Sequence, residues 1–482
     1  MKISQVFKLN KTQHELDFVD IDTAKDKAVF LDPFFISTRK HPWCIAANAT
    51  IRKFYQLAID YIKLGQLDKA CSIFIHLNEP NETCLGLSKG RPSGRGVAGI
   101  QSQQILESII KSKAAKTGLV DDLEDTAIFI ENVDKDKVSD ITTNIIKKHL
   151  LEYTIEQCNL WGITLTESVP TGFYWDSIAQ KWDQKHEKRL VINHKPLLLI
   201  PKMAVSFYKN YVSRKYYQHF VLNYLQDENL LNNTSLVQSR KLKSGVIKKF
   251  VTKKDIEEKQ APYTKEYLRN FTEAHPDIFV NFRSETSDAS IPISNDSLET
   301  INIQNLVDHL ISQLESIPTG KEQAGRYHVL MIGILELIFY PNLTNPRKEK
   351  PINDGRKRID ITFDNSSTSG FFFRTHNTHQ IPSSYIFGEC KNYFDDPVNP
   401  EIDQLSGRFN VNSSMVGLLI CRTIDDKSTF IKRCQDLWKQ KKELVLPLTD
   451  KDVKKILLAI KDGTQHSEEN LLADLQREII VS

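Results

Sequence analysis

No apolar run among the 482 residues approaches the roughly 18 positions that a membrane-spanning helix needs, so no membrane contact is expected. Met1-Lys2-Ile3-Ser4-Gln5 leads into charged sequence without a signal-peptide apolar core. The seven cysteines (Cys44, Cys71, Cys84, Cys158, Cys390, Cys421 and Cys434) are scattered, odd in number and form no C-x-x-C pair. A disulfide framework and a zinc site are therefore not expected, which fits a reducing cytoplasm. Net charge is also scarce, at +3, so any affinity for nucleic acid has to come from local basic patches. No internal repeat is present.

What remains is an ordinary globular composition, 40% hydrophobic and 26% charged, in a chain too long for one core. Three regions are expected. Residues 1–200 read as a mixed α/β recognition or regulatory module. Ala28-Val29-Phe30-Leu31 and Cys71-Ser72-Ile73-Phe74-Ile75-His76-Leu77 predict strands. Ile45 to Leu64 has helical periodicity, and a long amphipathic helix is expected over Ile141 to Leu160, capped by Ser139 or Asp140. Arg189-Leu190-Val191-Ile192 and Pro196-Leu197-Leu198-Leu199-Ile200 flank His194-Lys195 as a hairpin. The glycine-rich loop Gly86 to Gly99, with Lys89, Arg91 and Arg95, precedes a helix expected from Gln101 to Lys113. It could cradle a phosphate, but it lacks the P-loop spacing, so a flexible loop is the better reading. Asp134, Asp136 and Asp140 imitate part of a calcium loop without its glycine or terminal glutamate, and read as capping residues.

Residues 201–300 are a basic, aromatic-rich helical connector and linker. Lys209, Arg214, Lys215, Arg240, Lys241, Lys243, Lys248 and Lys249 are interleaved with Tyr208, Tyr211, Tyr216, Tyr217 and Phe250. Such a stretch is either a DNA-facing surface or a connector whose tyrosines are core and whose lysines are solvated. Ser284 to Ser297 reads as a linker or exposed loop.

Residues 301–482 carry the chemistry. The order expected is αβββαβαβ, with the Asp360 strand, an aromatic strand Phe371-Phe372-Phe373, and the strand Tyr385-Ile386-Phe387-Gly388-Glu389-Cys390-Lys391. Side chains alternate along a strand, so Glu389 and Lys391 share a face and Cys390 points the other way. If the Asp360 strand lies alongside, two carboxylates and an ammonium converge where a divalent cation and an attacking water would sit. Oxygen-ligated Mg²⁺ prefers carboxylates plus waters and supplies both charge neutralisation and an acidified water. Glu336 interrupts an otherwise apolar helix (Tyr327 to Tyr340, broken also by His328), and a lone buried carboxylate calls for a partner. Asp364, on the same face as Asp360, is the rival for the first acidic role.

These motifs resemble the PD-(D/E)XK, or restriction-endonuclease-like, nuclease superfamily over residues 300–460. The resemblance implies an αβββαβ core, a mixed central sheet flanked by helices, joined to the larger α/β module. It implies Asp360, Glu389 and Glu336 as metal-site residues, Lys391 as organiser of the nucleophilic water, and Gln404 as support from the following helix. Ile359 stands where the family name has proline. Arg356, Arg358, Lys248, Lys249 and Arg408 are the expected nucleic-acid contacts. The implied activity is a Mg²⁺-dependent deoxyribonuclease (Mn²⁺ substituting, RNA the alternative substrate), a restriction-like or anti-phage effector gated as a homo-oligomer. The competing readings are a nucleic-acid-binding protein with an inactive nuclease fold, and a nucleotide sensor built on the glycine-rich loop.

Overall fold

The structure, a computed structural model, describes residues 1–86, 107–110, 122–207, 209–352, 357–393 and 399–481, with backbone alone for 349–352, 357–359 and 399. It is a mixed α/β protein. Among the described residues a five-stranded sheet near the C-terminus is joined by four smaller sheets. No described helix is long and apolar enough to cross a membrane.

Helix α1 (Pro42–Lys63) starts where His41 Nδ1 accepts from the Trp43 amide at 3.1 Å, with proline at its first position. Of the expected stripe Ile51, Phe54, Leu57, Ala58 and Tyr61, the helix buries Ile51, Phe54 and Ala58 and half-buries Leu57 and Tyr61, with Tyr55 and Ile62 buried beside them. The expected strand at Cys71–Leu77 is not one: Leu67–Phe74 is a helix. A short apolar run fits either element, and burial here follows Ala70, Ile73 and Phe74, a helical stripe that leaves Cys71 and Ser72 outside.

The long helix expected over Ile141 to Leu160 is also different. It is two helices, α2 (Lys135–Ile145) and α3 (Lys147–Trp161), and α2 is capped by Asp134, which accepts from the Lys137 amide. Thr142, Thr143 and Asn144 each donate a side-chain bond to the carbonyl four residues back. Three successive back-bonds of this kind bend a helix, and the break follows at Ile146. The expected hairpin is present: His186–Ile192 pairs antiparallel with Lys195–Leu197, and Asn193 and His194 turn the chain in the left-handed region that two-residue hairpin loops require.

In the connector the tyrosines are core. Tyr211, Tyr216 and Tyr217 are buried, with hydroxyls bonded to Asp125, Thr272 and the Ala261 carbonyl. Much of the basic charge segregates onto an exposed two-stranded ribbon, β1 (Gln238–Lys241) and β2 (Ile247–Phe250). The expected linker is only partly a loop. Helix Pro276–Asp288 runs into it, buries Phe282 and Thr286, and anchors Arg283 on Asp122, Glu124 and Asp125.

The C-terminal part begins with α4 (Ile303–Ser316) and α5 (Ala324–Phe339). Strands β3 (Leu343–Ile352), β4 (Lys357–Asn365) and β5 (Tyr385–Lys391) follow. Then come α6 (Asn399–Ser406), β6 (Val416–Cys421), α7 (Lys427–Lys441) and β7 (Leu444–Thr449). The sheet order is β3-β4-β5-β6-β7, antiparallel up to β5 and parallel beyond it. The order αβββαβαβ is kept, but its strands are not all the expected ones. Phe371-Phe372-Phe373 lies in a short helix, with Phe371 and Phe372 buried and Phe372 edge-on to Phe339. The strand that the sequence pattern does not announce is β3, whose Asn345-Pro346-Arg347-Lys348 hides it. Proline and charge belong on an edge strand, and a register shift sits between Thr344 and Arg347.

Candidate active site on the β4–β5 strand pair

Ile361 lies opposite Gly388 and Phe363 opposite Ile386, so Asp360 and Glu389 are the next residues beyond the end of the paired stretch. Side chains two residues apart on a strand project to one face, so Lys391 shares the face of Glu389. Asp360 Oδ2 accepts from the Cys390 amide at 3.1 Å. Its side chain is partly open to solvent, whereas Glu389 is buried.

Two cations hold the buried Glu389 carboxylate in the sheet. Lys391 Nζ is 2.8 Å from Oε1, and Arg408 Nη1 caps Oε2. An unpaired carboxylate at this depth would be strongly unfavourable. Lys391 Nζ also donates to Gln404 Oε1 at 3.0 Å. An ammonium has three donors, so two are spent fixing its position and one is left for a water or an anionic oxygen. Burial lowers the pKa of the Arg408 guanidinium, against the raising field of Asp360. Cys390 faces the core, where burial pushes its thiol well up, so it is an inert packing sulfur.

Gln404 and Arg408 reach the site because α6 and the turn after it sit close over β6. A Cβ on Gly417 would come within 2.7 Å of Leu405 Cδ2 and 3.0 Å of Phe409 Cζ, so the glycine admits that approach.

The sequence motifs leave out one residue of this cluster. His328 Nε2 lies 3.0 Å from the Cys390 carbonyl and 3.8 Å from Asp360 Oδ2. A carbonyl only accepts, so Nε2 carries the proton. The signal was present: His328 and Glu336 both interrupt the apolar helix, and only His328 faces the strand pair.

Glu336 is not brought to this cluster. It lies eight residues past His328, roughly 12 Å along the helix. There it is fully buried, with Oε1 3.2 Å from Lys202 Nζ. Burial pushes its carboxyl up to about 8, with Lys202 opposing that rise and Asp17 adding to it. Lys202 is itself fully buried, bonds Asn295 Oδ1 at 2.8 Å and lies 3.8 Å from the Tyr340 ring centre. Asp364 is likewise engaged elsewhere: it is buried, 3.0 Å from His41 Nε2 and bonded to Asn345 Nδ2 at 2.7 Å. Burial alone would raise its carboxyl; His41 and Asn345 hold it below the usual range. One strand thus carries Asp360 near its middle and, near its end, Asp364 clamped to His41.

Of the expected nucleic-acid contacts, Lys248 and Lys249 are exposed on the ribbon, and Arg408 turns inward onto Glu389. Arg356 and the loop residues Lys89, Arg91 and Arg95 lie outside the described residues, and Arg358 is described by its backbone on β4. Among the described residues the one group of three or more His, Cys, Asp or Glu side chains with ligand atoms within 4.8 Å of one another is His466, Glu468 and Glu469, away from the β4–β5 strand pair. It opens the last helix, Ser467–Ile480, where acidic residues favour the first turn without any metal.

Residues 8–212 match the model of a family described as a domain of unknown function, DUF8370, and the match ends well before the five-stranded sheet. No curated protein and no solved structure matches the chain.

Proposed function

We propose that the chain is a metal-dependent nuclease of the PD-(D/E)XK type that hydrolyses DNA phosphodiester bonds, with a restriction-like or anti-phage role as its setting. The observation that carries the reading is Asp360 just beyond the Ile361–Gly388 pair and bonded to the Cys390 amide, beside a Glu389 paired with Lys391, which Gln404 holds. The mixed sheet behind them, antiparallel on one side and parallel on the other, supports the reading. The donor set fits a hard divalent ion, because Mg²⁺ and Mn²⁺ take one or two carboxylates and fill the remaining positions with water. Asp360 and Glu389 would hold it, and it would neutralise the scissile phosphate and acidify a water.

The chain's own residues supply the rest. Lys391 aims its remaining N–H at the reacting water or a phosphate oxygen, stabilising charge as it develops. Gln404 fixes the direction of that ammonium. His328 steadies Asp360 and the Cys390 carbonyl with one proton. Arg408 offers a cation that can leave Glu389 for a phosphate.

The test is cleavage of plasmid DNA with Mg²⁺ or Mn²⁺ by the wild type, Lys391→Ala and Glu389→Ala. Loss of cutting in both variants, and in EDTA, supports the reading; equal rates in all three proteins would overturn it. One observation favours a second reading, a DNA-binding protein with an inactive nuclease fold: both oxygens of Glu389 are already taken by cations. That protein would bind DNA and cut none with any metal.

A further inference from the structure

We propose that the β1–β2 ribbon is a duplex-DNA reader that enters the major groove. The inference rests on the nuclease reading for the kind of polymer and deepens it by naming the double-stranded form.

The ribbon pairs Ser239 with Lys249, Arg240 with Lys248 and Lys241 with Ile247. Its tip is closed by a Gly245 amide bond to the Leu242 carbonyl, with Gly245 at φ +84°. Every strand residue except Phe250 is exposed, so the body of the protein covers neither face. The base is fixed: Val251 is buried, Gln238 bonds Asp255 and Lys249 bonds Asn233. A firmly rooted hairpin therefore projects into solvent.

Its charge is one-signed. No acidic residue occurs between Glu228 and Asp255. Among the described residues none of Arg240, Lys241, Lys243, Lys248 and Lys249 forms an ion pair with a carboxylate. Arg240 even faces Lys248 directly across the strands, a pairing of like charges that destabilises an isolated sheet. A polyanion removes that penalty. Alternation puts Arg240 and Lys248 on one face and Lys241 and Lys249 on the other.

Cations on both faces select the partner. A bilayer offers anions to one side of a ribbon, whereas a groove flanks it with two phosphate backbones. The major groove of B-form DNA is about 12 Å wide and admits a two-stranded ribbon; the deep, narrow groove of A-form RNA does not. Single strands are gripped by exposed aromatic platforms, and the ribbon's exposed positions carry none. Val246 and Ile247, 60% and 67% exposed near the tip, suit contact with thymine methyl groups.

The test is fluorescence anisotropy of the full chain in EDTA, where no cutting occurs, with a labelled 30-base-pair duplex, the same DNA as a single strand, and a duplex RNA. The expected result is tightest binding to duplex DNA. In Arg240→Ala/Lys241→Ala/Lys248→Ala/Lys249→Ala the affinity should fall at least about 100-fold, and the log–log salt slope should shrink by about 0.9 for each phosphate that is no longer neutralised. The positions are exposed, so circular dichroism should be unchanged; the single change Lys248→Glu serves if the fourfold variant does not fold. Unchanged affinity in the variants, tighter binding to the single strand or duplex RNA, or capture by anionic vesicles with no DNA binding would each overturn the proposal. If the ribbon changes abolish binding while the wild type cuts nothing, the nuclease reading fails and the ribbon stands. If plasmid is cut while the variants bind as well as the wild type, the ribbon fails and the nuclease stands.

Discussion

Replacing Lys202 by methionine tests where the strongest buried charge belongs. Lys202 and Glu336 are both fully buried and 3.2 Å apart, and the carboxyl has already been pushed up to about 8 by burial. Among the described residues, removing the ammonium leaves Glu336 with Asp17 as its remaining charged neighbour and no hydrogen-bond donor to its oxygens. Breaking one side of a buried pair costs about 3–5 kcal/mol. Because Glu336 can take up a proton instead of staying charged, Lys202→Met is expected at the low end, about 3 kcal/mol. Removing both charges in Lys202→Met/Glu336→Leu should restore most of the loss, since apolar residues of similar volume are often neutral replacements for a buried pair. Urea unfolding followed by tryptophan fluorescence measures the cycle, and plasmid cleavage by the double variant gives the second readout. The account requires a coupling of at least about 2 kcal/mol, within the range for residues in contact, and retained metal-dependent cutting. A single variant costing under about 1 kcal/mol, well below the buried-pair range, or a stable double variant that no longer cuts, would refute the placement of Glu336 outside the active cluster.

Further outcomes follow from the same geometry. His41→Ala leaves Asp364 buried with Asn345 as its remaining side-chain bond, and should cost about 3 kcal/mol in urea unfolding. Gln404→Ala frees the Lys391 ammonium and should lower the cleavage rate roughly 10-fold or more at unchanged stability, the scale seen when outer contacts of a metal site are removed. Glu336 has a folded-state pKa above its ordinary value of 4.5, so its contribution to stability is complete below that value and is lost as pH rises toward about 8. Glu336→Gln should therefore gain on the wild type between about pH 5 and pH 8, read as the difference in urea midpoints; a constant difference would show that Glu336 does not titrate in this way.

The parts of the fold legible in the sequence were those whose pattern has one structural meaning. The alternation of Glu389, Cys390 and Lys391 fixed which side chains share a face, and the 3.6-residue stripe of α1 fixed its buried side. Where the pattern was degenerate, tertiary context decided. Ile73 and Phe74 suit a strand or a helix, and Phe371 to Phe373 pack as a helical turn because Phe339 lies beside them. The edge strand β3 stayed hidden because edges tolerate polar residues and proline. The partner of Glu336 was illegible for another reason: Lys202 comes from a distant part of the chain, and no local pattern encodes a contact over that separation. The same holds for His41 and Asp364. His328 and Glu336 both announced themselves as polar breaks in an apolar helix, and only helix rotation against β5 distinguishes them.

The central claim is that Asp360 and Glu389, on the neighbouring strands β4 and β5, hold a divalent cation. Calorimetric titration with Mn²⁺ tests it most directly, comparing the wild type with Asp360→Asn and Glu389→Gln, each checked for folding by circular dichroism. The account predicts saturable binding by the wild type and at least about a 10-fold loss of affinity in both variants, because each removes one of two anionic ligands. Equal Mn²⁺ affinity in all three proteins, or no saturable binding by the wild type, would contradict it.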